Sequence, residues 1–231
     1  MNAETILARL QSMANPENVA GMARYGISSN NTLGISVASL RAVARDVRKV
    51  VRGKPELHVL AAELWASGVH EARELATLLD VPALVTSQQM DAWVADVDSW
   101  DIGDGLSMGL FDRTPYAVAK AQEWADREEE FVRRAAFALM ATLAFKRHAL
   151  ADEDYEPFFE LMKQYATDER NFVKKAVNWA LRAIGKRNKR LLVRAIEVAR
   201  EIEVMDSRSA RWIAKDALRE LVPRLREDEL A

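Results

Sequence analysis

The feature that most restricts this chain is a helical segment that occurs twice. Phe131-Val132-Arg133-Arg134-Ala135-Ala136-Phe137 returns 41 residues later as Phe172-Val173-Lys174-Lys175-Ala176-Val177-Asn178, and Trp212-Ile213-Ala214-Lys215-Asp216 is a weaker echo 40 further on. Counting backwards, Asp104 stands 30 residues before Arg134, and Glu74 another 30 before Asp104. A period in this range, in a chain without strand alternation, reads as stacked helix pairs. Each pair buries a face that only its neighbours can cover.

The local pattern agrees. Ile6, Leu7 and Leu10 share a stripe within Glu4–Met13, and Pro16 suits the first turn of a second helix. Gly26 and Ser28-Ser29-Asn30-Asn31 break that helix, and Ser36 is positioned to cap a third with Val37, Leu40, Val43, Ala44 and Val47 on one face. Gly53 and Pro55 separate it from a helix ending near Trp65, and Gly68 precedes another over 71–80. Further helices start near Gln88, Asp101, Pro115, Glu128, Asp152, Asn171, Arg187 and Ser207, roughly a dozen in all with no credible strand. The expected fold is all-α: a curved solenoid of HEAT-like helical repeats, an α-α superhelix, as one domain over 1–231. Equivalent repeat positions line the concave face of such a stack, so Asp104, Arg134, Lys175 and Lys215 are expected along one groove.

Cysteine is absent, which excludes disulfides and thiolate metal sites. The three histidines, His58, His70 and His148, show no ligand spacing, and the acidic pairs show no metal pattern, so neither a metal nor a cofactor is expected. The start has no basic or apolar leader and no run is long enough to cross a membrane, so a cytoplasmic protein is expected. The formal net charge of −2 hides a polarity: Arg170 to Arg226 holds 16 Lys+Arg against 6 Asp+Glu. With few acids at hand to pair them, these cations point to a polyanion, most simply nucleic acid.

Ser99-Trp100-Asp101-Ile102-Gly103-Asp104-Gly105-Leu106 is the stretch that carries chemistry. Trp100 and Asp104 lie at i and i+4 and leave one helix face a turn apart. Ser99 or Asp101 could instead serve as an N-cap with Trp100 in ordinary packing. Lys and Arg in a groove neutralise phosphates, while a carboxylate there repels them. Asp104 therefore either faces elsewhere or does something that offsets that repulsion, one such task being to stabilise positive charge developing on a deoxyribose or to orient a water to attack it. Lys174 and Lys175 point about 100° apart, so one of them faces the groove. Trp179 fits both core and DNA-facing roles; Trp65, Trp93, Trp124 and Trp212 read as interhelical packing. The acidic run 152–156 reads as a solvated helix start.

The chain resembles the DNA alkylation repair family of HEAT-like repeat DNA glycosylases over about residues 20–220. The landmarks are Met22-Ala23-Arg24-Tyr25, Leu33-Gly34-Ile35 with Leu40-Arg41, Trp100-Asp101-Ile102-Gly103-Asp104, Arg133-Arg134-Ala135-Ala136 and Lys174-Lys175-Ala176-Val177-Asn178-Trp179-Ala180-Leu181-Arg182. Ser99 stands where family members closest to the type case carry a second tryptophan, and the glycines at 103 and 105 weaken helix. The resemblance implies excision of cationic N3- and N7-alkylated purines from double-stranded DNA, by a monofunctional enzyme working as a monomer without a deep base pocket. It implies that Asp104 is the catalytic carboxylate and that Trp100 and Trp179 cradle the backbone at the lesion. Arg134 would hold a phosphate, Arg182 a further backbone contact, and Tyr25 and Arg41 one end of the groove. Two other readings remain: a non-catalytic binder of damaged or branched DNA on the same groove, and a protein-interaction scaffold.

Overall fold

The computed structural model of the chain describes residues 1–145 and 149–230, with side chains to 225; His148 lies outside them. Among these residues the regular structure is entirely helical. The chain divides into two compact units, Met1–Pro115 and Tyr116–Ala231.

The first unit holds α1 (Ala3–Ser12), α2 (Pro16–Ala23), α3 (Val37–Val50), α4 (Lys54–Ala66), α5 (His70–Leu79), α6 (Ser87–Ala95) and α7 (Trp100–Gly109). Their starts follow the capping residues in the sequence. Asn2 accepts from the Thr5 N–H, Asn15 from Glu17 and Asn18, Ser36 from Ser39, and Thr86 from Gln89. Leu40, Val43, Ala44 and Val47 of α3 are buried as the stripe predicts, but Val37 is 50% exposed. It stands at the first position of the helix and lines an open cleft. Trp65 and Trp93 are buried and stack with centroids 4.3 Å apart.

Helix α5 is the hub of this unit and packs against α1, α3, α4 and α7. Its apolar face, Ala72, Leu75, Ala76 and Leu79, is fully buried. Its polar face is put to structural use. The Glu71 carboxylate, 1% exposed, accepts the backbone N–H groups of Leu33 (2.8 Å), Gly34 (2.6 Å) and Ile35 (3.1 Å). That fixes the segment between α2 and α3. Gly34 there has φ +80, and a Cβ would sit 2.2 Å from the Asn15 carbonyl oxygen, so only glycine fits.

The second unit holds α8 (Ala117–Ala125), α9 (Glu130–Leu143), α10 (Glu156–Tyr165), α11 (Asn171–Gly185), α12 (Lys189–Glu203) and α13 (Arg208–Leu230). The two copies of the sequence repeat are α9 and α11, which pack on each other, with α13 against α11 in turn. Trp124 is buried as expected, but Trp212 is 40% exposed. Its ring carries the Lys174 ammonium 5.0 Å from the centroid, so it covers a cation at the surface and does not pack between helices. The acidic stretch Asp152–Tyr155 is a 3-10 turn leading into α10, with Tyr155 buried and donating to the Leu143 carbonyl at 2.8 Å.

The cationic half is more compensated than the sequence count suggests. Acids from 152–169 reach it: Glu153 pairs with Arg190, and Glu156 and Glu160 with Arg194, which also meets Glu197 and Glu201. The expectation that few acids stand near these cations is therefore corrected by tertiary contact. Lys175 and Lys215 are exposed and belong to no ion pair among the described residues.

Glu71→Ala would strand three backbone donors, two of them buried with the carboxylate. Urea unfolding should show a loss of about 3 kcal/mol or more, with Glu71→Gln losing less because one acceptor oxygen survives. Unchanged stability in Glu71→Ala would refute the clamp.

Candidate functional site

Helix α7 begins at Trp100, with Ser99 as its N-cap residue making no side-chain cap hydrogen bond. Gly103 and Gly105 lie within the unbroken helix. The reason for Gly105 is proximity: a Cβ would meet the Glu74 carboxylate at 3.1 Å and the Thr77 hydroxyl at 3.2 Å. Glycine lets α5 and α7 approach with a carboxylate between them.

The facing sides of these two helices, with α3 and the end of α2, form a cleft of about 550 Å³. Met22, Ile27, Ile35, Leu40 and Met108 supply apolar wall, and Trp100 lines the same space. The indole is held, since Nε1 donates to the Tyr25 carbonyl at 2.9 Å. Asp104, one turn on, lies on the same face of α7 and is partly exposed in the cleft. Arg41 of α3 is exposed at the same cleft. The Tyr25 ring is 75% exposed, and the backbone carbonyl of the same residue holds the Trp100 indole.

Beneath Trp100 lies a cluster of titratable groups. His70 Nε2 and Asp101 Oδ2 are hydrogen-bonded at 2.9 Å, and Asp101 Oδ1 accepts from the Ser99 hydroxyl (2.6 Å) and the Ile102 N–H (3.0 Å). Burial works against charge on His70, but the Asp101 hydrogen bond and nearby Glu71 and Glu74 hold its pKa above the ordinary imidazole value. Burial likewise opposes ionisation of Asp101, and the hydrogen bonds from His70 and Ser99 outweigh it, keeping its pKa low. Glu74 is the opposite case. Its Oε1 is buried and accepts no hydrogen bond, and burial followed by the neighbouring Asp101 and Asp104 charges pushes its pKa up to about 8. Glu74 therefore carries a proton near pH 7.

His70, Glu74 and Asp101 together offer ligand atoms within 4.8 Å of one another, a grouping that the sequence spacing did not reveal. Two of the three are already bonded to each other, and both Asp101 oxygens are occupied. The group reads as a hydrogen-bonded cluster bracing the start of α7. The signal in the sequence was the repeat itself: Glu74 stands 30 residues before Asp104, and His70 31 before Asp101.

In the second unit the expected DNA-binding residues lie on α9 and α11. Arg134 of α9 is 7% exposed. Lys175, Trp179 and Arg182 follow one another at i, i+4 and i+7 along α11. Lys175 is exposed and Trp179 half-buried, whereas Lys174 is turned to the Trp212 ring. Arg182 bonds to Asp216 (3.1 Å) and to Glu220, so a phosphate would have to compete with two carboxylates for it.

The sequence model of the family described as DNA alkylation repair enzyme matches residues 6–221. No curated protein matches the chain. Among solved structures, one described as "A new family of proteins related to the HEAT-like repeat DNA glycosylases with affinity for branched DNA structures" is similar in fold. It has a TM-score of 0.75 and 18% identity, over 95% of each chain. The all-α architecture is thus that of the HEAT-like repeat proteins.

Replacing Glu74 tests the cluster. A carboxyl whose pKa is raised on folding prefers the protonated state, so wild-type protein loses stability as pH rises from the unfolded value of 4.5 through about 8. Glu74→Gln removes that penalty. Thermal unfolding should show the variant more stable by roughly 4 kcal/mol at pH 8.5 and nearly level with wild type near pH 4.5. A difference independent of pH would refute the assignment.

Proposed function

We propose, for a chain that belongs to the DNA alkylation repair enzyme family, that it is a DNA glycosylase excising cationic N3- and N7-alkylated purines from duplex DNA. The observation that carries this reading is the pairing of Trp100 and Asp104 on one face of α7, with the indole anchored and the carboxylate partly exposed beside it.

The chemistry suits a single carboxylate. A base alkylated at N3 or N7 is already cationic and leaves without being protonated. The C1′–N bond breaks with its electron pair going to the base nitrogen, which neutralises the base and leaves an oxocarbenium-like sugar. Asp104 stabilises that cation electrostatically; water then adds at C1′ and gives up a proton. Trp100 lies against the deoxyribose and holds the lesion beside the carboxylate. Lys175 and Arg134 contact phosphates and Trp179 packs on the backbone, supplying sequence-independent affinity. Arg41 contributes at the cleft in the first unit. The protein acts as a monomer in the cytoplasm; among the described residues no helix is long and apolar enough to cross a membrane.

A second reading has support from the structural neighbour described as having affinity for branched DNA. On that reading the same residues bind DNA without excision. Asp104→Asn separates the two. As a glycosylase the protein should release 7-methylguanine and 3-methyladenine from methylated duplex DNA, and the variant should lose that activity by about 100-fold or more while binding DNA at least as well. Full excision in the variant would refute the role of Asp104, and no release by well-folded wild-type protein would favour the binder.

DNA affinity should fall steeply with salt, and Lys175→Ala should weaken binding and lower the salt slope by about 1 in a titration across ionic strengths. A salt-insensitive affinity would contradict both DNA readings.

A further inference from the structure

The repeat in the second unit carries a pattern that the glycosylase reading leaves unused. Each copy sets an aromatic residue near the start of its helix and a cation three positions on: Phe131 and Arg134 in α9, Phe172 and Lys175 in α11, Trp212 and Lys215 in α13. Residues at i and i+3 share a helix face, so each helix shows a ring and, about 4.5 Å further along its axis, a cation. The helices pack in sequence, α9 on α11 and α11 on α13. The rings thus form a row across three helices, with the cations as a second row beside it.

Phe131 and Phe172 are partly exposed and touch, their centroids 5.5 Å apart and their planes tilted by 33°. Trp212 is 40% exposed, and the Lys174 ammonium, 5.0 Å from its centroid, backs the ring. Lys175 and Lys215 are exposed and in no ion pair among the described residues, whereas Arg134 is buried. Several acids that precede these helices are engaged within the protein: Asp168 by Arg133 and Arg170, Glu169 by the Ser209 N–H, and Asp206 by Arg211. Glu128 and Glu130 flank Phe131 in the chain and repel phosphates from that end, which favours a backbone laid over the lysine row.

We propose that this face of the second unit holds an unpaired DNA strand, its bases on the aromatic row and its phosphates on Lys175 and Lys215. Aromatic rings accept any unstacked base by its π-face, and a flanking line of cations tracks the backbone. Paired bases cannot use the row, because they stay stacked at a rise of about 3.4 Å along each strand. Even the two touching rings stand 5.5 Å apart, and packed helices lie about 8–10 Å apart. A basic peptide would be repelled by the lysines. The proposal rests on the nucleic-acid reading of these helices and adds to it the state of the strand they hold.

The probe is a fluorescein-labelled oligothymidylate of about 20 nucleotides, titrated into the full chain by anisotropy beside a blunt duplex of the same length. The strand should bind and quench tryptophan fluorescence. Trp212→Ala should weaken it about tenfold, Trp212→Phe should restore most of that loss, and duplex affinity should change less than about twofold in either variant. Lys215→Ala should lower the salt slope for the strand by about 0.7. Photo-crosslinking of a 5-iodouracil strand should map to Trp212 or Phe172. No binding of the strand, an unaffected Trp212→Ala, an equal loss on the duplex, or tighter binding of an RNA strand of the same length would each overturn the proposal. Duplex binding and excision without strand binding would overturn it and leave the glycosylase reading standing; strand binding without excision would do the reverse.

Discussion

The first unit depends on polar groups of α5 that are buried and still satisfied. Glu71 takes three backbone N–H groups from the segment between α2 and α3, and His70 takes Asp101 at the start of α7. Burying a carboxylate costs several kcal/mol unless hydrogen bonds offset it, so these contacts admit few alternative arrangements. They determine where the loop carrying Gly34 runs and where α7 begins, and hence where Trp100 and Asp104 stand. The Tyr25 carbonyl that holds the indole sits at the end of the helix leading into that loop. The site is thus assembled from three elements by the polar face of a fourth.

Glu74 is the exception on that face. Its neighbours on α5 have found donors, while its Oε1 has none and its proton stays on near pH 7. Gly105 explains how the sequence tolerates this, because any side chain there would push the carboxyl away from α7. A group held out of its preferred charge state responds to whatever enters the cleft.

Much of this could be read from the sequence, for identifiable reasons. The helices and their starts follow from Pro16, Ser36 and the apolar spacings, because capping and amphipathic burial are local. The repeat at 131 and 172 announced the α9–α11 packing. The long-range polar pairings could not be read this way. His70 has no ligand spacing in the chain, yet it meets Asp101 because a repeat of about 30 residues brings those positions together. Val37 and Trp212 fit their helical stripes and still face outward, since periodicity gives a face but not what covers it. The cationic excess after Arg170 is offset by Glu153, Glu156 and Glu160 from the preceding element, which a local charge count misses.

The central claim is that the carboxylate on α7 stabilises a sugar cation as a charged purine departs. The measurement that tests it most directly is the secondary isotope effect at the deoxyribose C1′, taken as single-turnover release of 7-methylguanine from duplex DNA carrying deuterium at that carbon. The account predicts release, and a normal effect with the deuterated substrate slower, because C1′ loses bonding as charge develops there. Release without an isotope effect in a chemistry-limited turnover, or no release at all, would contradict it.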